Sequence, residues 1–123
     1  MNEKSLLEAL NASLLLNDNV IFAYLFGSFA KGEQTSSSDV DIALYLKDSS
    51  LDNQLQIIYE LSKLLKRDVD LVVLNSVKNI YLLEDILKNS IVLKDDEKRV
   101  DFELLKEHEI LDYKAFKRYI DAA

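Results

Sequence analysis

Apolar and polar positions along the chain change period several times, and each change marks an element. Leu6, Leu7, Leu10 and Leu14 recur at helical spacing across Asn2 to Leu16, and Asn17-Asp18-Asn19 ends that stretch. Val20 to Phe26 is a short β-branched and aromatic run of the kind that makes a buried strand. From Asp39 to Leu46 the period is two: Val40, Ile42, Leu44 and Leu46 share a core face, while Asp39, Asp41, Ala43 and Tyr45 share the other, turned toward a loop. Lys47-Asp48-Ser49-Ser50 reads as a turn in which Ser49 or Ser50 caps a helix carrying Leu51, Leu55, Ile58, Leu61 and Leu65 onto the sheet. Lys66 and Arg67 close that helix where its dipole favours cations. Arg67 to Leu74 has a polar head and a continuous apolar body, a third strand. Asn75 or Ser76 caps a further helix through Ile80, Leu83 and Leu87, and Ile91-Val92-Leu93 forms a short last strand. The tail from Asp95 to Ala123 is charged and helical, with Leu104, Leu105, Leu111, Phe116, Tyr119 and Ile120 as its apolar positions; the aromatic ones are expected to pack on the sheet, a partner surface being the alternative for any left exposed. Strands alternating with helices give an α/β fold.

Composition narrows the class. A chain of 123 residues with 49% apolar content supports one domain and one core, and the lack of cysteine rules out disulfides and thiolate zinc sites. Met1-Asn2-Glu3-Lys4-Ser5 lacks the basic start of a signal peptide and no apolar run reaches membrane-spanning length, so the expectation is a cytoplasmic protein with no membrane association. The formal charge of −7 argues against direct binding to a nucleic-acid backbone, since lysine and arginine contacts supply most of that affinity. A basic protein partner fits better.

The candidate chemistry lies between Leu25 and Leu46. The chain has only two glycines, Gly27 and Gly32, and both fall here. Gly27 follows a strand and lets backbone approach a bulky anion. Ser28 then opens a short helical turn, Phe29 to Lys31, whose free N–H groups suit a phosphate and which Gly32 closes. Asp39 and Asp41 lie roughly 7 Å apart along one strand face, and hard oxygen donors so placed suit one or two Mg²⁺ ions, or Mn²⁺. A third carboxylate comes from Asp70, flanked by Val69 and Leu71 where an acidic side chain is costly without a positive partner, or from Asp68 on the same face, which a solvated strand end also explains. Taken singly each residue has a plain structural explanation; their joint spacing does not.

Gly27-Ser28, ten intervening residues and Asp39-Val40-Asp41 together resemble the DNA polymerase β-like nucleotidyltransferase superfamily, and within it the minimal nucleotidyltransferases that act as antitoxins to HEPN-domain toxins. The resemblance implies a small mixed sheet flanked by helices, a single nucleotidyltransferase domain over residues 1–123, and a helical C-terminal tail from about residue 97. It further implies Asp39, Asp41 and Asp70 as catalytic metal ligands, Gly27, Ser28 and Lys31 as nucleotide-binding residues, Mg²⁺ as cofactor and ATP as substrate. The implied reaction moves AMP onto a hydroxyl, a tyrosine of the cognate HEPN toxin, because helices and sheet leave no room here for an acceptor domain. Two other functions stay open, an antitoxin that only binds its toxin and an aminoglycoside-type adenylyltransferase. Lys31 stands where many minimal nucleotidyltransferases have arginine, which keeps a charge but loses a bidentate fork, so phosphate contact and surface charge are equally compatible with it. Ile110-Leu111-Asp112-Tyr113-Lys114 loosely resembles the tails of these antitoxins. Tyr45 could touch the base or simply pack, and His108, between Glu107 and Glu109, reads as solvated rather than catalytic.

Overall fold

In a computed structural model, residues 2–122 are described, which leaves Met1 and Ala123 of the sequence-based expectations outside. The order is α1 (Glu3–Leu16), β1 (Val20–Phe26), α2 (Gly27–Lys31), β2 (Val40–Leu46), α3 (Leu51–Leu65), β3 (Val69–Val73), α4 (Ile80–Asn89), β4 (Ile91–Lys94) and α5 (Glu97–Ala122). The four strands form one mixed sheet in the order β3-β2-β1-β4. β1 runs antiparallel to both β2 and β4, and β2 runs parallel to β3. That parallel pair needs a crossover, and α3 supplies it.

Both faces of the sheet are covered. Leu6, Leu10 and Leu14 of α1 and Ile57, Leu61 and Leu65 of α3 bury Val40, Ile42, Leu44 and Leu46 of β2, the set that the period of two assigns to the core. On the other face Leu83 and Ile86 of α4 and Phe102 and Ile110 of α5 pack on Phe22, Tyr24, Phe26 and Ala43. That second layer closes most of the face expected to look onto a loop. β1 serves both layers by alternation, Ala23 and Leu25 on one and Phe22, Tyr24 and Phe26 on the other, and a register shift between Val20 and Phe22 puts Ile21 on the same side as Phe22.

Three local expectations are corrected. The buried stripe of α3 is Ile57, Leu61 and Leu65, whereas Leu51 and Leu55 stand exposed, because the face turned inward is centred on Leu61 and both leucines lie to one side of it. α4 is capped by Asn79, whose side chain accepts from the Tyr81 and Leu82 N–H groups, rather than by Asn75 or Ser76. Asn75 acts instead as a strand extension, accepting from Leu46 N–H at 3.0 Å and donating to Leu46 O at 2.8 Å. The aromatic Phe116 and Tyr119 of α5 do not pack on the sheet: both are exposed, as are Leu104, Leu105, Leu111 and Ile120, and Phe102 and Ile110 carry the burial.

The second layer is pinned by a polar chain. The Tyr24 hydroxyl donates to Glu103 at 2.9 Å, and Arg99 links Glu103 to Asp95. Burial, reinforced by Glu103, pushes the Tyr24 phenol well above its ordinary range. On the opposite layer the Lys94 ammonium donates to the Leu14 and Asn17 carbonyls, closing the C-terminal end of α1.

Candidate active site

The site is built where β1 stops. Phe26 pairs with Asp41 across the antiparallel register, and the next residue, Gly27, takes φ +71° and turns the chain into α2. A side chain at Gly27 would overlap the Asp41 carboxylate, with a Cβ 3.0 Å from Asp41 Cγ. Glycine therefore serves twice here, once for the left-handed backbone and once to let a carboxylate sit directly over the Gly-Ser turn. Phe29, 4% exposed, anchors α2 in the core, and Gly32 at φ +69° ends it with its N–H on the Ser28 carbonyl.

Asp41 lies opposite Asp70 in the parallel β2–β3 register. Strands about 4.8 Å apart put such partners on one face, so the two carboxyl groups stand side by side. The Asp41 carboxyl is pushed up to about 6, first by burial, then by the charge of Asp70, by a hydrogen bond to Asp70, and by the charge of Asp39. Asp39 sits one residue ahead of β2 and is exposed. Among the described residues no lysine or arginine forms an ion pair with any of the three. Nor, among those residues, do three acidic or histidine side chains converge tightly enough to enclose a metal. The arrangement is an adjacent pair with a third carboxylate at its rim, an open set of oxygen donors. Mutual repulsion within that set is relieved by a divalent cation, and hard oxygen donors fit Mg²⁺ or Mn²⁺.

Gly27, Ser28, Asp41 and Asp70 are thus brought together, with Asp39 beside them. Asp68 is exposed and lines a groove with Asp39, Ser36, Ser38, Lys66 and Arg67, while its backbone oxygen accepts from Val40 N–H at 2.9 Å. Lys31 reaches α4, where its ammonium lies 3.6 Å from Asp85, a partner that no spacing in the sequence announces. Tyr45 packs, stacked on Phe22 at 5.1 Å and edge-on to Phe102 at 5.7 Å. His108 is exposed on α5. Among the described residues no helix is long and apolar enough to cross a membrane.

The chain is similar to several known proteins. A Methanocaldococcus jannaschii relative, Putative protein adenylyltransferase MJ1379, is 40% identical over 65 residues, which cover 50% of this chain and 65% of that protein. Protein adenylyltransferase MntA of Shewanella oneidensis is 41% identical over 71 residues, 54% of this chain and 50% of MntA. The chain therefore spans between half and two thirds of the length of these relatives. Among solved structures, a toxin–antitoxin complex with AMP-PNP contains a chain matching at a TM-score of 0.76 and 24% identity, over 99% of this chain and 97% of that one. A complex of tri-AMPylated Shewanella oneidensis HEPN toxin with its MNT antitoxin matches at 0.75 and 21% identity, over 98% and 97%. At these identities the structural likeness is one of fold. The sequence model for polymerase beta nucleotidyltransferases matches residues 8–99, the stretch that holds the Gly-Ser turn and all three carboxylates, and on that match the chain belongs to the polymerase beta nucleotidyltransferase family.

Proposed function

We propose that this protein is a Mg²⁺-dependent adenylyltransferase that moves AMP from ATP to a tyrosine hydroxyl of a HEPN-domain toxin and thereby acts as its antitoxin. The observation that carries the reading is the pairing of Asp41, which lies against Gly27, with Asp70, neither of them ion-paired to a lysine or arginine among the described residues. The protein adenylyltransferase names of the relatives and the AMP-PNP-bound and tri-AMPylated toxin complexes among the structural neighbours support it.

In this reading Ser28 and the turn amides hold β- or γ-phosphate oxygens. Asp39, Asp41 and Asp70 would hold Mg²⁺, which would supply charge neutralisation at the triphosphate. Asp70, exposed at the edge strand, orients the incoming tyrosine hydroxyl and accepts its proton as the tyrosine oxygen bonds to the α-phosphorus and pyrophosphate leaves in line. Lys31, on α2 and already ion-paired, exchanges Asp85 for phosphate. The second face of the sheet is filled by α4 and α5, so in this reading the acceptor hydroxyl comes from outside the described residues.

Incubation with the HEPN toxin encoded beside it, ATP and Mg²⁺ should add AMP to the toxin, read by intact mass. Asp41→Asn should abolish the addition. A toxin that is neutralised with no mass change, equally by wild type and by Asp39→Ala/Asp41→Ala, would establish occlusion in place of transfer.

A further inference from the structure

Residues 33–39 connect the turn to the carboxylates, yet they form neither helix nor strand and are mostly exposed. Internal ties are short: Thr35 N–H donates to Ser38 Oγ at 2.8 Å and Ser38 N–H to Thr35 O at 3.2 Å. At the start of this connection the Gly32 and Glu33 N–H groups both donate to the Ser28 carbonyl, tying the first residues to α2. What fixes the far end of the loop from outside is Arg67. Its Nη1 donates to Ser38 O at 2.9 Å and to Thr35 O at 3.2 Å, while the guanidinium lies over the Phe29 ring at 5.2 Å. Phe29 belongs to α2, two residues from the turn glycine, and Ser38 immediately precedes Asp39. One side chain thus joins the phosphate-binding half of the site to the acidic half. Lys66 makes this reach available: at φ 55° it turns the chain back at the end of α3, a backbone state that costs a non-glycine residue roughly 1 kcal/mol and that persists where surrounding contacts hold it.

We infer that Arg67 is a positioning residue for nucleotidyl transfer, clamping the Thr35–Ser38 loop against α2 so that Asp39 stays in register with the Gly27-Ser28 turn. The inference rests on the transferase reading above and adds a residue to it. Arginine suits the task because a planar guanidinium donates along its edge while its face stacks on an aromatic ring; lysine keeps the charge and the donors but not the flat face. Without the clamp, Asp39 is free to move away from Asp41, and the site must recruit its cation without one preset donor.

The test compares wild type with Arg67→Ala and Arg67→Lys. Three measurements are made: melting temperature with AMP-PNP across a Mg²⁺ titration, hydrogen exchange in residues 33–39, and adenylyl transfer at saturating Mg²⁺. A positioning role predicts that Arg67→Ala raises the half-saturating Mg²⁺ about 10-fold, the low end of the range seen when groups supporting a metal ligand are lost. It also predicts faster exchange in the loop, a lower kcat with the KM for ATP within about 2-fold, and an intermediate Arg67→Lys that regains part of the Mg²⁺ affinity. A merely structural contact would lower the ligand-free melting temperature and leave the Mg²⁺ midpoint where it is. If wild type responds to Mg²⁺ and both folded variants show its midpoint, the positioning role is overturned and the transferase reading stands. If wild type itself ignores Mg²⁺ with nucleotide, the transferase reading fails, and this role with it.

Discussion

At the scale of single residues the site is a place where the sequence accepts local cost. Asp41 has a carboxyl pushed up to about 6 against an ordinary value of 3.8, so the folded state holds its proton more tightly than the unfolded chain does. Its contribution to stability is full below pH 4 and is lost as the pH rises through 6. At 1.36 kcal/mol per unit, and discounted because Asp41 is only partly buried, ionisation costs the metal-free protein about 1–2 kcal/mol. Asp41→Asn should therefore raise the urea midpoint at pH 7.5, leave it nearly unchanged at pH 4, and flatten the dependence between, while wild type alone regains stability on adding Mg²⁺. The two glycines give a matched comparison. Gly27→Ala meets both the φ of +71° and the Asp41 carboxylate, whereas Gly32→Ala meets only its φ of +69°. Both should lose about 1–2 kcal/mol from the left-handed backbone. Only Gly27→Ala should also lose transfer activity, assayed at a temperature where both variants are folded.

Elements show what periodicity can and cannot disclose. Asn75 satisfies both backbone groups of Leu46, so Asn75→Ala should cost about 1–2 kcal/mol in urea denaturation, with the loss confined to the β2–β3 end of the sheet. In the sequence Asn75 looked like a helix cap, since a side-chain amide that mimics a strand has the same signature as one that starts a helix. The strands themselves were legible: β1 spans Val20–Phe26 and β2 opens one residue after Asp39, because β-branched runs and a period of two leave few alternatives. The pairing of Asp41 with Asp70 was also foreseeable, once two apolar strands each headed by an aspartate were set parallel. Helix faces were harder. α3 carries apolar residues around much of its circumference, and which of them point inward depends on how the crossover enters the sheet, a tertiary fact that no local window contains. In the sequence Arg67 shows only as a helix-end cation, because its partners Thr35, Ser38 and Phe29 lie far upstream and two of them are reached through backbone carbonyls, which carry no sequence signature.

For the molecule as a whole, the two layers are unequally finished. α1 and α3 bury a contiguous cluster against one face of the sheet, whereas α5 contributes only Phe102 and Ile110 to the other. The matched family stretch ends at residue 99, just after α5 begins, and beyond Ile110 no described residue of the helix is buried. What holds that last half against α4 is polar or peripheral: Lys114 to Glu84, Lys117 to the Tyr81 hydroxyl, and Tyr113 edge-on to Tyr81 at 6.2 Å. The Lys114 hydrogen bond holds the Glu84 carboxyl below its ordinary range, but an ion pair open to solvent stabilises little. A helical segment that short is marginal in water when its apolar side chains are unburied. Local unfolding should therefore run from the C-terminal end. Amide exchange should be slow through Arg99 to Ile110, where Phe102, Ile110 and the Tyr24–Glu103 bond tie α5 to the sheet, and should speed up by about tenfold or more, a difference of at least 1.4 kcal/mol, from Leu111 onward. Phe102→Ala should carry the fast zone back into Arg99–Ile110 and cost about 3–5 kcal/mol globally, while Leu104→Ala should do neither. Uniform protection to residue 122 would mean that the polar contacts with α4 hold the end of the helix as firmly as the core holds its beginning.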